Sequence, residues 1–209
     1  MGISMQDSKL VELARLISEW HGLTSRPAAE LIDDSLVLLE HLGEGQKVVD
    51  VGSGGGLPGL PLKIARPDLS LTLVEADQDK AAFLVRTCAV LGLRDVQVLA
   101  RRAEEVGHEP LYREAFDIAV ARALAPMPVL AELCLPLVKV GGRLLAQKTE
   151  SEELSAAGHA IEAMGGVLKA VIPAPSAARG SGTVVIVDKV RSTPPAYPRR
   201  PGVPKRKPL

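Results

Sequence analysis

Leu10, Leu13, Ala14, Ile17 and Trp20 recur at helical spacing and predict an amphipathic helix at the start of the chain. Leu31, Ser35, Leu38, Leu39 and Leu42 predict a second helix, ending near Gly43 and Gly45. The pattern then changes. "KVVDV" is a short apolar run, followed by a glycine-rich loop and a helix from about Leu57. A strand over 69–75 leads to a helix over 78–93, with Ala81, Leu84, Val85, Cys88 and Leu91 facing inward. Strands over 96–100 and 116–121, a helix around 127–138 and a strand over 143–147 come next. Thr149 and Glu152 have the spacing of a capping box for a helix that stops at Gly165 and Gly166. Strands over 167–172 and 183–190 finish the pattern, and no internal repeat appears. Strands alternating with helices predict an α/β fold with a largely parallel sheet.

Composition adds two constraints. The 209 residues are 46% hydrophobic but only 2% aromatic, so the core must be built from Leu, Val, Ile and Ala. Formal net charge is zero, but it is unevenly spread. The last 19 residues hold Arg191, Arg199, Arg200, Lys205, Arg206 and Lys207 and no acid, which leaves 19 basic against 25 acidic residues before them, a net of −6. A basic tail on an acidic body points to a polyanionic partner or to a solubilising terminus. The organisation expected is a helical segment over 1–45, a ligand-binding domain over 46–190 and a basic, proline-rich tail over 191–209. Cys88 and Cys134 belong to no disulfide framework or metal spacing. No signal peptide is apparent, Gln6 stands where a myristoylation signal wants Ser or Thr, and no apolar run approaches membrane length. These features predict a reduced, cytoplasmic protein, expected to act as a monomer without metal.

The candidate chemistry sits in "VVDVGSGGGLPGLPL", where five glycines fall within 52–59. In a parallel α/β sheet, ligands bind beyond the carboxyl ends of the strands, and this loop leaves that edge. Gly54, Gly56 and Gly59 satisfy the dinucleotide pattern G-x-G-x-x-G, but Gly52 already follows the strand, so the match starts two residues late. The better description is Asp50-x-Gly52-x-Gly54-x-Gly56. An acid on the strand suits a cofactor with a cationic amino-acid end and repels a pyrophosphate. Glu75 closes the second strand, 23 positions after Gly52, where a carboxylate can accept both hydroxyls of a ribose. Asp77 contacts an adenine or caps the following helix, with neither reading favoured. This set resembles the S-adenosylmethionine site of the seven-stranded, Rossmann-like class I methyltransferases.

The acceptor is narrowed by what is missing. The fourth strand ends "AVARALAPMP", with Arg122 where methyltransferases of exocyclic amines often carry Asn or Asp before Pro-Pro. No cysteine stands where a cytosine-attacking nucleophile is expected, and His21, His41, His108 and His159 are scattered. A ring nitrogen such as the seven position of guanine has an in-plane lone pair and loses no proton on methylation. Positioning alone would then suffice, and it can supply about 7–11 kcal/mol.

The order and spacing of "VVDVGSGGGLPGLPLKIARPDLSLTLVEADQDKAAFLV", "RRAEE", "ARALAPMPVL", "GGRLLAQKTE" and "PPAYPRRPGVPKRKPL" make the resemblance closer than fold level. From about Leu23 onward the chain is similar to the bacterial small-subunit rRNA guanine methyltransferases, also called the glucose-inhibited division protein B family. The resemblance implies formation of 7-methylguanosine in 16S rRNA from S-adenosylmethionine. It implies Gly52 and Leu57 on the methionine side, and Glu75, Ala76 and Asp77 at ribose and adenine. It also implies Ala103 and Glu104 flanking the adenine, Arg122 closing the site, and Arg102 and Lys148 facing RNA, with Arg122 and Lys148 expected to position the reactants and no general base identified. Glu104 has the alternative of a bridge to Arg101 or Arg102, and Lys148 that of a solvated side chain. The chain departs from the family's pattern at Gly22, at Leu31 ahead of Asp34-Ser35-Leu36, and at "ARGSGTVVIV" near the last strand.

The tail's six prolines between 194 and 208 predict an extended segment, with Tyr197 either pinning it to the body or stacking on a base. Arg199, Arg200, Lys205, Arg206 and Lys207 would then meet RNA phosphates, leaving cofactor affinity untouched. The rival readings are a small-molecule methyltransferase or one acting on another RNA, an NAD-dependent oxidoreductase, and a non-catalytic RNA-binding module.

Overall fold

The computed structural model describes residues 8–20, 26–149 and 154–209. Helices α1 (Ser8–Glu19) and α2 (Ala28–Leu36) precede β1 (Lys47–Val51), α3 (Gly59–Ala65) and β2 (Ser70–Val74). Then come α4 (Gln78–Val90), β3 (Val96–Leu99), α5 (Ala103–Val106), β4 (Phe116–Arg122), α6 (Met127–Cys134) and β5 (Val138–Thr149). The chain closes with α7 (Gly158–Ala163), β6 (Gly166–Pro173), β7 (Gly182–Lys189) and α8 (Val203–Arg206). All seven strands lie in one sheet, in the order β3-β2-β1-β4-β5-β7-β6. The pairings from β3 through β5 are parallel, and β7 runs antiparallel between β5 and β6.

Strand alternation sorts the core into two layers. Val48, Leu71, Leu73, Ile118, Val120 and Leu145 point to one face, where they pack with Leu10, Leu13, Ile17, Ile32, Leu60 and Leu84. Val49, Val51, Ala119, Ala121, Leu144 and Ala146 point to the other, against Met127, Leu130 and Ile161. The N-terminal helices therefore share the first layer with β1, β2, α3 and α4. Leu31, one of the departures from the family pattern, is a member of that layer. Strands β1, β2 and β4 all end on one edge of the sheet, and their short apolar runs are buried on both faces as parallel strands require.

Three elements differ from the periodicity. The second helix stops at Leu36 and continues only as a 3-10 turn over Leu39–His41. Helix α6 stops at Cys134 and gives way to a 3-10 turn over Leu135–Leu137, because Pro136 cannot continue the α-helical bonding. The tail is not extended throughout: α8 forms at its end, with Gly202 in the left-handed conformation (φ 80°) and Pro204 in the first turn, where its missing N–H costs nothing. Gly22 and Glu152 lie outside the described residues; Thr149 ends β5. Among the described residues no helix is long and apolar enough to cross a membrane, and no cluster of His, Cys, Asp and Glu is arranged to hold a metal.

Candidate functional site

A cavity of about 430 Å³ opens where β1, β2 and β4 end. Its walls come from the glycine loop, from Val74 to Ala76, from Arg101 to Glu104, and from Arg122 to Leu124. The sheet edge and the glycine loop are thus brought together as topology requires.

Four of the five glycines have a defined task. Gly52 turns the chain at φ 72°, and its N–H donates to the Val74 carbonyl at 2.8 Å. A Cβ there would lie 2.4 Å from Leu124 Cδ1, so glycine lets the 122–124 loop close over the strand end. Gly54 is also left-handed (φ 53°), and its N–H points at Glu75. Gly56 is left-handed too (φ 85°) and packs closely, since a Cβ there would meet Leu60 Cδ1 at 2.3 Å, while Gly59 serves packing alone, a Cβ there meeting Asp50 Oδ2 at 2.7 Å.

Asp50 lies fully buried beneath the loop rather than in the cavity wall. Its Oδ2 accepts from the Gly59 N–H at 2.9 Å, and its Oδ1 has no hydrogen-bond partner. Burial pushes its carboxyl up to about 7, against the opposing pull of the Gly59 N–H and the Arg122 guanidinium. Folded Asp50 therefore keeps a proton that the unfolded chain loses near 3.8, so its contribution to stability is lost as pH rises through about 7. Asp50→Asn keeps an acceptor for Gly59 and cannot ionise. Its stability relative to the parent should rise by roughly 2 kcal/mol between about pH 5 and about pH 8, read by urea unfolding. A difference that does not change with pH would show that Asp50 does not titrate in this window.

Glu75 stands in the cavity wall, held by two backbone donors: Gly54 N–H to Oε2 at 2.7 Å and Asp77 N–H to Oε1 at 2.9 Å. Each oxygen keeps a further lone pair for a ligand hydroxyl. Of the two readings of Asp77, the cap is present in the structure. Its carboxylate accepts from the N–H groups of Asp79 and Lys80, and it is not part of the cavity wall. Ala76 and Ala103 do line the cavity, as do Leu57, Arg102 and Glu104. Glu104 takes the alternative offered by sequence, a bridge to Arg102 at 3.2 Å, and adds a bond from the Gly202 N–H at 2.9 Å.

Arg122 projects from the end of β4 into the wall, its Nη1 3.7 Å from Asp34 Oδ2. Burial lowers its pKa, offset by Asp34 and Asp50. The next residue, Ala123, sits at φ 51°, a conformation that a residue with a Cβ adopts only under local constraint. Asp34, Gln147 and Arg179 complete a buried polar cluster behind it. Arg179 donates to Asp34 Oδ1 at 2.6 Å and to the carbonyls of Lys148 and Thr183, while Gln147 donates to the Asp34 carbonyl at 2.6 Å. None of these three residues is marked for a role by the sequence motifs. The signal available was a buried-type Asp among Leu and Ile on α2, and an Arg in the turn before an apolar strand.

Two basic residues expected to face RNA are placed otherwise. Lys148 is not solvated: it is buried, and its ammonium donates to the Ala125 carbonyl. Arg199 is bound to the fully buried Glu132 by its backbone N–H at 2.8 Å, by Nε at 2.8 Å and by Nη2 at 2.6 Å. The tail around it is strapped to the body. Arg113 donates to the carbonyls of Thr193, Pro194 and Tyr197, Glu114 accepts from the Thr193 N–H, and His108 Nε2 lies 2.6 Å from the Pro198 carbonyl. Tyr197 packs on the second core layer, which settles it as a pin. Arg200, Lys205, Arg206 and Lys207 remain exposed, as does Arg102.

The chain resembles known proteins in sequence and in fold. A ribosomal RNA small subunit methyltransferase G of Moorella thermoacetica is 48% identical over 172 residues, covering 78% of this chain and 69% of that one. The protein of the same name from Geobacillus sp. is 39% identical over an alignment of length 227, gaps included, covering 100% of this chain and 94% of that one. Among solved structures, a variant of MtNAS in complex with S-adenosylmethionine superposes with a TM-score of 0.62 at 20% identity, covering 88% of this chain and 72% of that one. That likeness concerns the fold, a Rossmann-like α/β architecture. The family model described as rRNA small subunit methyltransferase G matches residues 6–177, and with these relatives it shows that the chain belongs to that family.

Proposed function

We propose that the chain is an S-adenosylmethionine-dependent methyltransferase that modifies the seven position of a guanine in small-subunit 16S rRNA. One observation carries the reading. The carboxylate of Glu75 and the left-handed glycines 52 and 54 line one cavity, and beneath its glycine loop lies a buried Asp50 with an oxygen lacking a hydrogen-bond partner. Such a donor set fits a nucleoside with a cationic amino-acid end. Glu75 would accept the ribose hydroxyls, Ala76 and Ala103 would flank the base, and Gly52, Gly54 and Leu57 would hold the methionine side, with Asp50 below. When bound, S-adenosylmethionine supplies an electrophilic methyl group on sulfonium. The protein's task is then to align the acceptor, with Arg122 at the mouth and no proton to remove. A cytoplasmic location follows from such a substrate.

Names of the relatives and the exposed cations support RNA as the partner. Arg102, Arg200, Lys205, Arg206 and Lys207 are proposed to meet phosphates; Lys148 and Arg199 are left out because both are committed to the fold. Each phosphate contact contributes about −0.7 to the salt slope on single-stranded RNA. Replacing Arg200, Lys205, Arg206 and Lys207 together by glutamine should therefore make that slope shallower by roughly 2–3 units. The check is RNA binding across several salt concentrations. An unchanged slope would remove the strap from the RNA surface.

A further inference from the structure

Glu104 and Gly202 are 98 residues apart in sequence, yet they meet at the edge of the cavity. Glu104 lines the cavity and is almost fully buried, and its Oε1 accepts from both the Gly202 N–H and Arg102. It belongs to α5, which has only four residues and is too short to fix its own position. The strap supports α5 from behind. A Cβ on Gly107 would lie 2.9 Å from Pro198 Cγ, so helix end and strap are in direct contact, and His108 meets the Pro198 carbonyl. Arg199 then locks the strap to Glu132 of α6, three residues before Gly202. The cavity wall from Arg102 to Glu104 thus rests on the C-terminal segment.

We infer that Glu104 is a positioning residue through which the C-terminal strap sets the affinity of the cofactor cavity. The inference rests on the reading that this cavity takes S-adenosylmethionine. It replaces the expectation that the tail is independent of the cofactor. Because binding couplings are reciprocal, the cofactor must also hold the strap in place, next to the exposed cations proposed to meet RNA.

The test is calorimetric titration of S-adenosylmethionine into four folded proteins: the full chain, a chain ending at Pro201, Glu104→Ala, and Glu104→Ala in the shortened chain. Loss of residues 202–209 should weaken binding about five- to tenfold in the parent, at the lower end of measured couplings, and by less than about twofold in the Glu104→Ala background. Glu104→Gln keeps an oxygen for the Gly202 N–H, so shortening should still weaken its binding. Hydrogen exchange in the unmodified full chain gives a readout that needs no truncation: cofactor should slow exchange of the Gly202 amide about fivefold or more. Unchanged affinity in the shortened chain, equal shortening effects with and without Glu104, or an indifferent Gly202 amide would each overturn the inference. If the full chain bound no S-adenosylmethionine, the functional reading would fall first and this inference with it. Binding that ignores the strap would overturn the inference alone.

Discussion

Arg199→Ala should destabilise the protein by about 3–5 kcal/mol, although Arg199 lies in a tail that reads as a solvated basic arm. Glu132 on α6 is fully buried, and its two oxygens are bound by the backbone N–H, Nε and Nη2 of Arg199. Removing the guanidinium leaves a carboxylate in the core with one backbone N–H in place of three donors. That desolvated charge has no other cation within bonding distance among the described residues. The same arginine also donates to the Lys207 carbonyl, so the end of the strap should loosen with it. Arg200→Ala, one residue along and exposed, should shift stability by less than about 0.5 kcal/mol. Chemical denaturation of the two variants side by side is the check. Equal, small effects would mean that the Glu132 pair contributes nothing to folding.

Glu75→Ala should weaken S-adenosylmethionine binding by about 1.5–3 kcal/mol, the range for hydrogen bonds to a charged group. The effect belongs at the upper end, because the carboxylate also shapes the site. Its oxygens hold the N–H groups of Gly54 and Asp77, and so tie the glycine loop to the turn after β2. Glu75→Gln can keep one of these acceptors and should lose less. The fold should survive both changes, since the side chain sits at a strand end outside the two apolar layers. Calorimetry on both variants decides it: an alanine variant that binds as tightly as the parent would remove Glu75 from the site.

What was legible in the sequence is what short-range chemistry writes there. The apolar runs of β1, β2 and β4 and the glycine loop mark the sheet edge where the cavity opens, because a parallel strand must be apolar and a tight turn favours glycine. Glu75 was legible for the same reason, from its place at the end of β2. Contacts between distant segments were not. The apolar setting of Asp34 marks it for burial, but nothing near it announces that Arg179, 145 residues later, is its partner. Nothing in "YPRRPG" distinguishes Arg199, which is half of an internal ion pair, from Arg200, which faces solvent. Lys148 is misleading in the same way. A lysine at a strand end reads as exposed, and only the packing of β5 beside the 122–125 loop buries it against the Ala125 carbonyl. The prolines of the tail predict an extended segment, whereas Pro204 in the first turn of α8 is compatible with a helix.

The most direct measurement is transfer of a labelled methyl group from S-adenosylmethionine to small-subunit rRNA lacking its own modification, supplied naked and as assembled particles, followed by nucleoside analysis. The account predicts label in 7-methylguanosine, lost with Glu75→Ala at subsaturating cofactor. Label in another nucleoside, or none in either form of RNA while the cofactor still binds, would contradict it.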